Sequence, residues 1–121
     1  MSGDADEHRL DEAAHESRRQ RHAREALETT SPAERPRAIL LAGQPGAGKS
    51  ALRAQALREA PSEEGAVLVD IDELRVSHPA YRRLSLANAR AAAGQVQHDA
   101  GRGGDELIHD AAEARRNLVV D

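Results

Sequence analysis

The chain has 121 residues, with 21 acidic and 17 basic side chains and a net charge of −4, a balance that argues against a general nucleic-acid binder or a membrane-surface binder. Tyr81 is its one aromatic residue and it has no cysteine, so Ala, Leu, Val and Ile must build any core, and disulfides and thiolate metal sites are excluded. The length allows at most one domain, no apolar stretch approaches the ~18 residues of a membrane span, and the charged start lacks the apolar centre of an export signal, which fits a cytoplasmic protein.

Residues 1–36 read as a charged N-terminal segment, helical or mobile. Arg18, Arg19, Arg21 and Arg24 stand close to Glu16, Glu25 and Glu28, while Leu10, Ala13, Ala14 and Leu27 make too thin an apolar stripe to bury on its own. The expectation is a solvated helix or tail. His8, His15 and His22 recur every seven residues, but two helical turns place consecutive members ~10 Å apart, too far to share one ion, so they read as a solvated face. Ser31-Pro32 and Pro36 then break the helix.

The folded part is expected over residues 37–121. An apolar run, Ala38-Ile39-Leu40-Leu41-Ala42, predicts a strand over 38–42, and Lys49 to Glu59 predicts a helix stopped by Pro61. Between them stands Gly43-Gln44-Pro45-Gly46-Ala47-Gly48-Lys49-Ser50, a complete phosphate-binding loop with the strand and helix flanks that its mechanism requires. Glycines at 43, 46 and 48 let backbone N–H groups close around phosphate oxygens, and the helix start adds its positive dipole end. Pro45 has no N–H and cannot be one of the donors. Lys49 is expected to reach the β- and γ-phosphates of ATP, and the Ser50 hydroxyl to ligand Mg²⁺.

Beyond the loop the pattern alternates. A turn at Glu63-Glu64-Gly65, a strand at Ala66-Val67-Leu68-Val69, a short helix near Glu73 and a break at Pro79 come first. A helix from Tyr81 to about Gln97, a glycine-rich turn over Gly101–Gly104, a helix from Asp105 to Arg116 and a strand at Leu118-Val119-Val120 follow. Fully apolar strands separated by helices predict an α/β fold: a P-loop NTPase-type parallel sheet with flanking helices, incomplete at about three strands, with one edge of the first strand uncovered. Because such sheets usually have about five strands, the chain is expected to be a fragment or truncated product.

Ligands of open α/β sheets bind beyond the carboxyl ends of the strands. After the second strand stands Asp70-Ile71-Asp72-Glu73-Leu74-Arg75, then His78-Pro79. A carboxylate there can take the proton of a hydroxyl attacking the γ-phosphate, although Asp is also a common helix cap, at Asp70 especially.

Joined to the loop, this segment resembles the zeta toxin family, the P-loop kinases of toxin–antitoxin systems that phosphorylate UDP-N-acetylglucosamine. The resemblance runs from Arg37 to Asp121. It rests on the Gly-Gln-Pro-Gly-Ala-Gly-Lys-Ser loop, on Asp-x-Asp-x-x-Arg-x-x-His-Pro, and on the Arg-Arg-Asn-Leu-Val-Val-Asp ending. It implies that Lys49 and Ser50 hold ATP and Mg²⁺, that Asp72 is the general base, and that Asp121 and Asp105 contact the sugar nucleotide. Asp105 also suits a helix cap. Arg75 and His78 match further acceptor-side positions, with a solvated arginine and a turn-stabilising histidine as the alternatives. It also implies a possible antitoxin partner. Another P-loop phosphotransferase of small hydroxylated substrates, or a non-catalytic nucleotide- or antitoxin-binding chain, remains open, and little activity is expected of this chain alone.

Overall fold

The computed structural model describes residues 8–41, 49–59 and 63–121. In chain order these form α1 (Glu12–Glu28), β1 (Ala38–Leu40), α2 (Lys49–Glu59), β2 (Ala66–Val69), α3 (Ile71–Val76), α4 (Tyr81–Ala87), α5 (Ala89–Gln95), α6 (Gln97–Glu113) and β3 (Asn117–Val120). None of the described helices is long and apolar enough to cross a membrane. The chain divides into two compact units, one of Met1–Gln20 with Asp70–Glu106, the other of Arg21–Val69 with Leu107–Asp121.

The second of these units holds the sheet. Its strands are parallel in the order β1-β3-β2, so the last strand in sequence is central. Ile39 pairs with Val119 on one side and Leu68 with Val119 on the other. The sequence of β3 explains its place: Asn117, Leu118 and Val119 are all buried, whereas Leu40 of the edge strand β1 is 74% exposed. Val67, Val69, Ala111 and Leu118 form the core, with Ala26, Leu107, Ile108 and Val120 packed against it. It is aliphatic throughout, as the composition requires. Val69 and Val119 are wholly buried, and each such side chain contributes about 1.5–3 kcal/mol of hydrophobic stabilisation.

Polar groups finish this unit where apolar ones cannot. Asn117, 2% exposed, accepts the Arg37 N–H at 2.9 Å through its side-chain oxygen and donates to the Gly65 carbonyl at 3.1 Å. One side chain therefore ties the entry of β1 to the entry of β2, and its burial leaves neither end unpaired. Gly65 has φ +71°, the left-handed conformation that glycine adopts without strain at the expected turn. The last carbonyls of α1, which lack helical partners, are met by the Thr29 and Thr30 hydroxyls at Glu25 and Ala26 and by Arg116 at Leu27.

The other unit departs from expectation in three places. The first half of α1 is not a solvated face, because His15 and Arg18 are buried. His15 Nε2 lies 3.0 Å from both carboxylate oxygens of Glu106, to which Arg19 and Arg102 also turn. Arg18 donates to the Leu74 carbonyl at 2.8 Å and to Ser77 Oγ at 2.9 Å, and the Leu10 N–H donates to Asp99. Arg102 grips Glu12 with two N–H groups at 2.8 and 3.1 Å. Those hydrogen bonds, then the guanidinium charge, hold the Glu12 carboxyl below its usual range. Hydrophobic periodicity missed the helix's attachment because that attachment is polar.

The expected helix from Tyr81 to Gln97 is interrupted. Asn88 is extended, at φ −159° and ψ 99°, and its side chain accepts the Arg90 and Ala91 N–H groups, ending α4 and capping α5. Leu84, Ala92 and Val96 pack together across that break, with Ala80 and Tyr81 against them. The expected turn over Gly101–Gly104 is also corrected, since all three glycines at 101, 103 and 104 lie inside α6. Each costs about 1 kcal/mol of helix propensity relative to Ala. For Gly104 the packing supplies the reason: an added Cβ would fall well inside van der Waals contact with Ile71 Cδ1, while nothing stands within 4 Å at Gly103.

Candidate functional site

Because the strands are parallel, the ends of β1, β2 and β3 share one edge of the sheet, where ligands of such folds bind. Gly43, Gln44, Pro45, Gly46, Ala47 and Gly48 lie outside the described residues. Their flanks do not. The Leu41 N–H still bonds the Val120 carbonyl at 2.9 Å, and α2 starts at Lys49, with Ser50 second. A parallel strand therefore leads into residues 42–48 and a helix N-terminus follows directly after them, the two flanks that a phosphate cradle requires.

Asp121 follows β3 at the same edge. Its N–H donates to the Val69 carbonyl at 2.9 Å, which fixes its main chain against β2. Its carboxylate Oδ2 lies 3.6 Å from Arg53 Nη1, and the side chains are 10% and 33% exposed respectively. Arg53 is not among the residues singled out from the sequence. A basic residue four positions after the loop lysine, one turn along the helix, was the available signal.

Beyond β2 the two aspartates divide their roles. Asp70 is the N-cap of α3, its side chain accepting the N–H groups of Asp72 at 2.9 Å and Glu73 at 3.4 Å. The Asp72 side chain is 74% exposed and is paired with the Arg75 guanidinium. The other branch of that guanidinium donates to the Gln97 side-chain oxygen, so Arg75 is engaged on two sides, unlike a solvated arginine. His78 is buried, with Nε2 2.7 Å from Asp99 Oδ2. Its Nδ1 accepts the Ala80 N–H at 3.0 Å, so Nε2 carries the proton donated to Asp99. That is the turn-stabilising arrangement. Asp105 is an exposed residue inside α6, and the helix-start explanation for it does not hold. Among the described residues no three His, Asp or Glu side chains are grouped to hold a metal ion.

Arg75 and Asp72 are thus brought together in one unit, and Arg53 and Asp121 in the other, while His78 turns to Asp99 and Asp105 faces solvent. The family model described as Zeta toxin matches residues 20–121. The chain belongs to the zeta toxin family. It is 26% identical over 114 residues to toxin zeta of Enterococcus hirae, covering 94% of this chain and 39% of that one. With toxin PezT of Streptococcus pneumoniae serotype 4 it shares 27% identity over 101 residues, 84% of this chain and 39% of that protein. A solved structure from work on the PezAT chromosomal toxin–antitoxin system of Streptococcus pneumoniae matches with a TM-score of 0.83 and 24% identity, over 93% of this chain and 46% of that one. That likeness shows the fold, the P-loop NTPase-like α/β arrangement. This zeta toxin family chain spans about two fifths of the length of the curated relatives it matches.

Proposed function

We propose that the chain is the nucleotide-binding portion of a zeta-type kinase, whose activity is transfer of the ATP γ-phosphate to a hydroxyl of UDP-N-acetylglucosamine. The observation that carries this reading is the Gly43–Ser50 sequence lying between β1 and the start of α2 in a member of the zeta toxin family. The helix that begins at Lys49 suits the ligand, since its free N–H groups and positive dipole end favour phosphate.

In this reading ATP with Mg²⁺ supplies the phosphoryl group and the metal's charge. Lys49 holds the β- and γ-phosphates and Ser50 offers its hydroxyl to the metal. Asp72 accepts the proton of the acceptor hydroxyl as that oxygen attacks. Arg75, braced by Gln97, orients the Asp72 carboxylate, and Asp121 and Asp105 hold the sugar nucleotide. Asp70 serves as the cap that starts α3 one residue before the segment carrying Asp72. A toxin partner of the PezAT kind is named with an antitoxin, and we extend that partner class to this chain.

Lys49 is the one lysine of the sequence, which gives the experiment a clean target. Calorimetry of the full chain should show ATP binding that falls at least tenfold in Lys49→Ala, the loss of a charge-assisted contact of roughly 1.5–3 kcal/mol. ATP should also shield that lysine from an amine-directed reagent. Equal ATP affinity in both forms would refute the assignment of the loop.

A further inference from the structure

We infer that Arg53 is a positioning residue for Asp121 and that it couples nucleotide binding to acceptor binding. The inference rests on the proposed reading of Asp121 as an acceptor contact. The main chain of Asp121 is fixed by its N–H bond to Val69, and the rotamer of its carboxylate decides where the oxygens point. Arg53 Nη1 stands 3.6 Å from Oδ2. That is too long for a hydrogen bond and close enough for charge attraction, in a half-buried setting where water screens part of it.

Arg53 also belongs to α2, the helix that begins with Lys49 and Ser50. It lies one turn beyond Lys49, so whatever settles the N-terminus of that helix on a phosphate also settles the guanidinium beside Asp121. The carboxylate is then held by the same rigid element that receives the nucleotide. Acceptor affinity should therefore rise when nucleotide is bound, and by reciprocity nucleotide affinity should rise by the same factor when acceptor is bound.

The test is calorimetry on the full chain with a non-hydrolysable ATP analogue, Mg²⁺ and UDP-N-acetylglucosamine. In the unaltered protein the analogue should tighten acceptor binding about fivefold. Arg53→Met should keep analogue affinity within about twofold while the coupling disappears, and Arg53→Lys, which restores the charge, should recover part of it. Arg53→Gln, which keeps a polar side chain of similar reach without the charge, should also remove the coupling and keeps the question answerable if Arg53→Met fails to fold. Raised salt should weaken the coupling wherever the charge at position 53 is kept. Undiminished coupling in folded Arg53→Met overturns the role of Arg53 and leaves the kinase reading standing. Analogue binding without any acceptor binding in the unaltered protein overturns the acceptor assignment, and the coupling with it.

Discussion

Alanine at Gly103 should raise stability where alanine at Gly104 does not, although the two glycines are neighbours in one helix. Both lie inside α6, and both changes recover about 1 kcal/mol of helix propensity. At Gly103 nothing lies within 4 Å of the added methyl, so the gain should stand, at about 0.5–1 kcal/mol or roughly 4 °C in Tm. At Gly104 the methyl meets Ile71 Cδ1 well inside contact distance, with Leu74 Cδ1 at 3.6 Å behind it. The Ile71 Cδ1 is the free end of a half-buried side chain that can turn aside, so relief costs about 1 kcal/mol, which cancels the propensity gain. The two variants should therefore differ by about 1 kcal/mol in thermal and urea unfolding followed by circular dichroism. Ile71→Val removes the offending Cδ1 and should restore Gly104→Ala more than it affects the unaltered chain, a coupling that a double-mutant cycle reads directly. If Gly104→Ala were as stable as Gly103→Ala, the close approach of α6 to Ile71 would be wrong.

Asn117→Ala should cost about 2–3 kcal/mol, seen as a lower urea midpoint, because it leaves both the Arg37 N–H and the Gly65 carbonyl without their partner. Glu12, whose carboxyl is held below its usual range in the folded chain, contributes stability that is present above its unfolded pKa and lost as pH falls through the folded value. Glu12→Gln should therefore flatten the acid limb of a stability-against-pH curve, and Glu12→Gln and the unaltered chain falling in parallel there would contradict the pairing with Arg102. Asp70→Ala should cost about 1 kcal/mol of stability through loss of the α3 cap. In a chain of full family length, Asp72→Asn should lower kcat by 10²–10⁴ with ATP affinity and Tm nearly unchanged, and a larger rate loss at Asp70→Asn would put the base elsewhere.

The parts of this fold that sequence reveals are those governed by short-range rules. The apolar runs at 38–42, 66–69 and 118–120 announce a parallel sheet, Gly65 marks its turn, and Asp70 occupies the cap position that its side chain suits. What sequence conceals depends on partners distant along the chain. Gly101–Gly104 reads as a turn because local propensity disfavours glycine in helices; inside the helix Gly104 leaves room for Ile71, 33 positions earlier. The anchoring of α1 escapes a search for apolar periodicity since His15 and Arg18 are held by Glu106, Leu74 and Ser77 through polar bonds. His78 matches an acceptor-side position by motif, yet its ring is held by Asp99, 21 residues onward. Arg53 was missed for the same reason, as nothing adjacent to it names Asp121.

The packing of Tyr81 against Leu84, Ala92 and Val96 has an optical consequence. Since it is the one aromatic side chain in the protein, ultraviolet emission originates wholly from the unit of Met1–Gln20 and Asp70–Glu106, while the sheet is silent at those wavelengths. A fluorescence melt therefore follows that unit alone, whereas an amide circular-dichroism melt of the same sample follows the whole chain. Coincident curves would mark a single cooperative transition, and separated curves would show that unit melting apart from the rest of the chain without any label being added.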